Sequence, residues 1–263
     1  MKKVILLALI TVMAVSCSKV ILTGRKQLLL VSDAEVVAMS ATAYKQMIDS
    51  VPLSKNAAQT ALVKKVGANI SKAVEEYLTA NKLEKEIANL KWEFNLVKDT
   101  SVNAFCMPGG KVVFFEGILP ITQTEAGIAV VMGHEVAHAI AKHANERMSQ
   151  QMATSVGSGV ADILLMNQTT TTRQTVNILY GIGSQVGVIL PYSRKHEYEA
   201  DQLGLIFMAM AGYDPNESIS FWERMAANGK ASAFELLSTH PSDQNRILKL
   251  KALLPEALKY YKK

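Results

Sequence analysis

Five residues, His134-Glu135-Val136-Ala137-His138, constrain this chain more than any other stretch. Residues four apart share one face of an α-helix, so the two imidazoles can meet a single cation about 2 Å from each ring. Glu135 leans to the side of that face, where it reaches a metal-bound water rather than the metal. The flanks, Ile128 to Gly133 before the motif and Ala139, Ile140 and Ala141 after it, are apolar and predict a buried helix. Charged groups in such a helix are costly unless a metal compensates them. The pattern points to zinc-dependent peptide hydrolysis on a core helix.

A hydrolytic zinc site keeps three protein ligands and one open position. One known solution continues the helix to a glycine and a third histidine, but Ala141 and Ala144 stand at those positions here. His143 falls well round a continuing helix from His138 and reads as a surface residue or a neighbour of the ligands. Downstream, Glu197 and Asp201 in Ser193-Arg194-Lys195-His196-Glu197-Tyr198-Glu199-Ala200-Asp201 are again four apart, with Glu199 turned away. Glu197 could bind the metal while Asp201 holds the second ring nitrogen of a ligand His. The same segment also reads as a charged, solvated helix start, in which His196 is exposed.

The chain resembles the zinc metallopeptidase family that includes HtpX, BepA, the mitochondrial Oma protease and the CAAX prenyl endopeptidase. HEVAH at 134–138, EYEAD at 197–201, Ser238-Thr239-His240-Pro241, and Asn103-Ala104-Phe105 with Pro108-Gly109-Gly110 carry the resemblance. It runs from about residue 24 to about residue 250 and is best with the periplasmic BepA-like and Oma-like branch. It implies one Zn2+ per chain, Glu197 as third ligand and Asp201 behind a ligand His. It also implies an α+β, mainly helical, zincin-like domain with a small sheet beside the HExxH helix. In the BepA-like branch the His of the S-x-H-P segment can reach the zinc and block its open position. Here that residue is His240, for which a loop-packing or helix-capping role stands beside the latch.

Met1-Lys2-Lys3 followed by the apolar run Val4 to Val15 has the form of a signal segment, too short to span a bilayer. It ends in Ala14-Val15-Ser16-Cys17, which resembles a lipobox with Cys17 as the lipidated residue. The expectation is a lipoprotein signal peptide over 1–16 and a single domain over 17–263. Ser18 rather than Asp after Cys17 predicts attachment to the outer membrane, facing the periplasm. Cys106 is then the one remaining thiol, so no internal disulfide forms, and its apolar neighbours predict burial.

Without residues 1–16 roughly 250 residues remain, enough for a large core. Losing Lys2 and Lys3 takes the net charge of +5 to +3, too little to argue for nucleic acid. A cap-like Ser32-Asp33-Ala34-Glu35 precedes a helix over Val36 to Ile48. Asn56 to Ala80 reads as an amphipathic helix with Ala61, Leu62, Val66, Ile70, Val74 and Leu78 on one side. Lys91 to Val97 alternates as a strand, and Pro108-Gly109-Gly110 splits Ala104 to Phe115 into two more. Residues 202–212, 216–228 and 242–260 read as helices. Residues 149–190, glycine-rich and apolar around the polar break Thr169 to Thr172, read as two helices inserted between the metal motifs.

In zincins a sheet edge beside the metal holds an extended substrate by strand addition. Asn103, Ala104 and Phe105 open the candidate edge. The expected activity is zinc-dependent endopeptidase cleavage of misfolded or misassembled envelope proteins, with Glu135 as base. A chaperone-like factor at an outer-membrane assembly complex, its site shut by His240, is the alternative. A purely structural zinc domain would leave Glu135 without a role.

Overall fold

The computed structural model describes residues 17–164, 190–228 and 245–261. The signal segment 1–16, residues 165–189 of the insertion, and His240 with its S-x-H-P segment lie outside the described residues. The chain divides into two compact units, Met1–Asp33 with Lys142–His196, and Ala34–Ala141 with Glu197–Lys263. No helix among the described residues is long and apolar enough to cross a membrane.

In the first unit, β1 (Cys17–Lys19) and β2 (Lys26–Leu28) form an antiparallel hairpin. Cys17, the expected lipidation site, opens β1. A later helix, His143–Leu164, packs against β2. It receives the chain beyond the hairpin through hydrogen bonds. The Ser149 hydroxyl accepts from the Leu30 amide at 2.8 Å, and the Asn145 amide donates to the Val31 carbonyl at 3.0 Å.

In the second unit, α1 (Asp33–Ser50) and α2 (Ala57–Ala80) precede a one-turn α3 (Glu84–Ile87). Asn56 caps α2 by accepting from the Gln59 amide. The stripe α2 buries is Val63, Val66, Ile70, Val74 and Leu78. Ala61 is exposed and Leu62 half-buried, because the buried spacing follows the contact with the sheet and not the first apolar pair in the helix.

Strands β3 (Glu93–Val97), β4 (Ala104–Met107) and β5 (Lys111–Phe115) form a sheet in the order β3-β5-β4. β5 runs parallel to β3 and antiparallel to β4. Gly109 and Gly110, at φ 89° and 81°, make the turn between β4 and β5. β5 is therefore the middle strand, buried through Phe114, and β3 and β4 are the outer ones, with a single further bridge from Leu53 to Val97 on the β3 side. Asn103 lies just before it, its side chain accepting from the Ala104 amide at 2.9 Å. Phe105 and Met107 pack with Tyr44, Val97 and Val113 on the α1 side. By strand alternation Ala104 and Cys106 face the other way.

After a short α4 (Leu119–Thr122), α5 (Glu125–Ile140) carries the HEVAH motif and packs on α2 and β4. Thr124 caps it by accepting from the Gly127 amide at 2.9 Å. Burial runs unbroken from Gly127 to Ala137, so this helix is the centre of the unit. α5 ends at Ile140, the chain passes Lys142 at φ 60°, and α6 (His143–Leu164) begins at once. That break corrects the expectation for His143, which is fully buried. It belongs to α6 and not to an extension of the HEVAH helix.

Helix α7 (Leu190–Met210) is continuous across the EYEAD motif, where the sequence suggested a charged start and a separate helix over 202–212. α8 (Glu217–Asn228) and α9 (Arg246–Ala257) complete the described elements.

Candidate metal centre

Two buried helices meet through glycine. A Cβ on Gly133 of α5 would stand 2.7 Å from the Gly204 carbonyl oxygen, and one on Gly204 of α7 would stand 2.8 Å from the His134 amide nitrogen. Only residues without a side chain allow the two backbones this close. One residue beyond Gly133 is His134, and one and two turns before Gly204 on α7 lie Asp201 and Glu197. The crossing thus delivers both sequence motifs to one point.

There the donor atoms converge. His134 Nε2 and His138 Nε2 are 3.1 Å apart. Glu197 places Oε2 3.3 Å from His134 Nε2 and Oε1 3.4 Å from His138 Nε2. The three residues form the one group of metal-binding side chains among the described residues. Tetrahedral ligands at ~2.0–2.1 Å stand ~3.3–3.4 Å from one another, so these separations are close to the edges of a metal polyhedron. The imidazoles meet edge to face, with centroids 4.7 Å apart at 75°, which is how both Nε2 lone pairs aim at one point. Three buried donors with converging lone pairs fit a divalent cation.

Behind the ligands, Asp201 Oδ1 lies 3.0 Å from His134 Nδ1. That contact sets the His134 proton on Nδ1 and leaves Nε2 for the metal. Asp201 is itself held by Arg246, whose Nη2 and Nε donate at 2.6 and 3.0 Å. Burial alone would raise the Asp201 pKa, but the Arg246 guanidinium and the His134 contact outweigh it and hold the carboxyl below its usual range. Burial likewise disfavours a charged His134, yet the hydrogen bonds to Asp201 and Glu197 raise its pKa to about 9 in the metal-free chain.

Glu135 is 3% exposed. Burial raises the Cys106 thiol pKa, and the Glu135 carboxylate adds to the rise. Glu135 and Cys106 thus lie close enough to interact where α5 packs on β4. Cys106 is half-buried rather than enclosed, and its thiol donates to the Met107 carbonyl.

The structure brings together His134, His138, Glu197 and Asp201, with Glu135 alongside. Glu199 is also buried but is not in the donor group. The expectation of an exposed His196 is corrected. It is 4% exposed, stacks on His143, and lies 2.9 Å from the Glu146 carboxylate. A buried acid on α6 has recruited it, and nothing in the local sequence announces so distant a partner. Arg246 is the residue that sequence reasoning missed. It opens α9 in an otherwise ordinary basic stretch, 45 positions from the aspartate it serves.

The sequence matches the family described as Peptidase family M48 over residues 65–254. It is 43% identical over 177 residues to the mitochondrial metalloendopeptidase OMA1 of Schizosaccharomyces pombe, covering 65% of this chain and 49% of that protein. Against the Homo sapiens metalloendopeptidase OMA1, mitochondrial, identity is 31% over 249 residues, 90% of this chain and 46% of the relative. The beta-barrel assembly-enhancing protease of Yersinia pestis is 27% identical over 161 residues, 59% of this chain and 33% of the relative. The chain spans about half the length, or less, of these curated relatives. They correct the expected compartment. Relatives at 43, 39 and 34% identity are mitochondrial by name, so the placement as an outer-membrane lipoprotein facing the periplasm is withdrawn. A basic start, a short apolar run and a small-residue site form a leader pattern too generic to specify a membrane.

Proposed function

Because this chain belongs to peptidase family M48 and is a metallopeptidase, we propose that it binds one zinc ion through His134, His138 and Glu197 and cleaves unfolded or misassembled polypeptides internally. The observation that carries this reading is the convergence of His134 and His138 of α5 with Glu197 of α7, their donor atoms 3.1 to 3.4 Å apart, next to Glu135 on α5. Mixed imidazole and carboxylate donors favour zinc among the available divalent ions. When bound, zinc supplies a Lewis acid that acidifies water and polarises the scissile carbonyl.

The remaining work falls to the chain. Glu135 accepts the proton of the attacking water on its carboxylate and returns it to the leaving amine. Asp201 keeps His134 in the tautomer whose Nε2 is a donor, and Arg246 keeps Asp201 ionised. The outer strand β4 offers backbone N–H and C=O groups to an extended substrate, entered at Ala104 and Phe105, with Asn103 shaping its start. Backbone pairing is largely indifferent to side chains, which favours unfolded chains over any particular sequence.

Cleavage of an unfolded casein-type substrate by the zinc-loaded chain tests the reading. Glu135→Gln should keep its zinc and lose about 10²–10⁴-fold in turnover, the usual contribution of a general base. Undiminished cleavage by this variant would remove the mechanism.

A further inference from the structure

A buried guanidinium beside two carboxylates has two places to go. Arg246, 3% exposed, gives Nη2 and Nε to Asp201 at 2.6 and 3.0 Å, while its Nη1 stands 3.6 Å from Glu197 Oε2. A swing onto Glu197 would occupy the lone pairs a cation needs. It would also take the counter-charge from Asp201, the group that orients His134. Coulomb attraction alone does not choose between the two acids, since both are buried and within reach.

Trp222 of α8 stands where the choice is made. The guanidinium carbon lies 3.5 Å from the centroid of its ring. The same indole meets the His134 ring at 6.4 Å and 73°, and it is backed at 5.3 Å by the fully buried Phe221. A small cavity lined by Trp222, His134, Asp201, Met208 and Leu250 borders this stack. A smaller side chain at 222 would therefore leave the guanidinium room to move. An aromatic face attracts a desolvated guanidinium more strongly than an aliphatic side chain does, and indole is the strongest of the three rings.

We propose that Trp222 is a positioning residue of the metal centre: its ring holds the hydrogen bonds of the Arg246 guanidinium on Asp201 and limits its approach to Glu197 to the 3.6 Å contact, so that a cation competes with no guanidinium hydrogen bond for the Glu197 oxygens. The inference rests on the reading of His134, His138 and Glu197 as a zinc site.

The test is zinc affinity of the full chain, by competition with a chromophoric chelator, for wild type, Trp222→Tyr, Trp222→Phe and Trp222→Leu. Metal-free thermal unfolding is followed in parallel, with Phe221→Leu as a neighbour that packs in the same layer. Affinity should fall from Trp through Tyr and Phe to Leu, with the Leu variant about 10–100-fold weaker, the usual loss when a partner of a metal ligand is disturbed. Phe221→Leu should lower the unfolding temperature and leave zinc affinity within about threefold. Equal affinities across the ring series would overturn the proposal, and so would a loss in Phe221→Leu matching that of Trp222→Leu. The Tyr and Phe variants decide the matter even if the Leu variant does not fold. A wild-type chain that takes up no zinc would instead sink the site assignment itself. Uptake by wild type with a flat series sinks only the role of Trp222.

Discussion

The two units each bury a glutamate among histidines and an arginine, and among the described residues only one of the two clusters brings its donor atoms to a point a metal could occupy. In the first unit Arg25 clamps Glu146 with both Nη atoms at 2.7 Å, and His196 closes on the same carboxylate at 2.9 Å. His143 and His196 stack nearly face to face, 4.2 Å apart at 12°, so their ring nitrogens point along the stack's edges and do not converge. In the second unit the imidazoles of His134 and His138 are at 75°, and the Glu197 oxygens face both ring nitrogens. The arginine there is committed to Asp201. Residue types are shared, and the difference lies in where lone pairs meet. A carboxylate saturated by a guanidinium is a structural ion pair. Glu197, with the guanidinium no nearer than 3.6 Å, keeps its oxygens facing the two imidazoles.

Exchanging the fates of the two glutamates should have the largest effect. Glu197→Ala should abolish stoichiometric zinc binding, while Glu199→Ala and Glu146→Gln should keep one zinc per chain. Glu146→Gln should instead cost about 3 kcal/mol in stability, because Arg25 and His196 lose their buried counter-charge. Metal analysis with denaturant unfolding of each variant separates the clusters. Loss of zinc in Glu146→Gln would erase the distinction.

A smaller effect is expected where the helices cross. Gly204→Ala puts a methyl 2.8 Å from the His134 amide nitrogen, and the backbones must part. Overpacking of this kind costs about 1–3 kcal/mol, and here it should also weaken zinc binding because the donors move apart. Titration with zinc and thermal unfolding would show both losses together. A Gly204→Ala chain of unchanged affinity would mean that the crossing does not set the ligand spacing.

The mildest lever is acid. Burial raises the Glu146 pKa, but hydrogen bonds to Arg25 and His196 outweigh it and hold the carboxyl below its ordinary 4.5. A depressed folded pKa adds stability that is present above the unfolded value and lost as pH falls through the folded one. The stability gap between wild type and Glu146→Gln, both metal-free, should therefore be constant above about pH 5 and shrink below 4.5. Unfolding temperatures from pH 6 to pH 3 would show it. A gap unchanged with pH would mean that the ion pair contributes nothing to folding.

How far the site could be read from sequence follows from the range of each signal. HEVAH is local. Helical periodicity places His134 and His138 on one face, and the apolar flanks declare burial, so α5 and two of the three converging donors were legible at once. Glu197 and Asp201 were legible as a pair by the same spacing, though the charges around them suited a solvated helix equally well. His143 and His196 were misread for one reason. Their environment depends on a single reversed residue, Lys142, and on Glu146 meeting Arg25 across 121 positions. The sheet was read as three strands with its turn in place, but which strand lies outermost is a matter of pairing order.

By itself, then, the sequence determined the helices and strands whose periods are local, the pairing of donor residues within the HEVAH and EYEAD motifs, and the family to which they belong. Only the tertiary structure decided that Gly133 meets Gly204, that Arg246 serves Asp201, and that Glu146 is clamped by Arg25 while Glu197 faces two imidazoles. Periodicity reports on neighbours a few residues apart, because a helix turn or a strand pleat repeats over that distance. Convergence of lone pairs depends on the angle and closeness of two packed elements, which the packing of the whole unit sets.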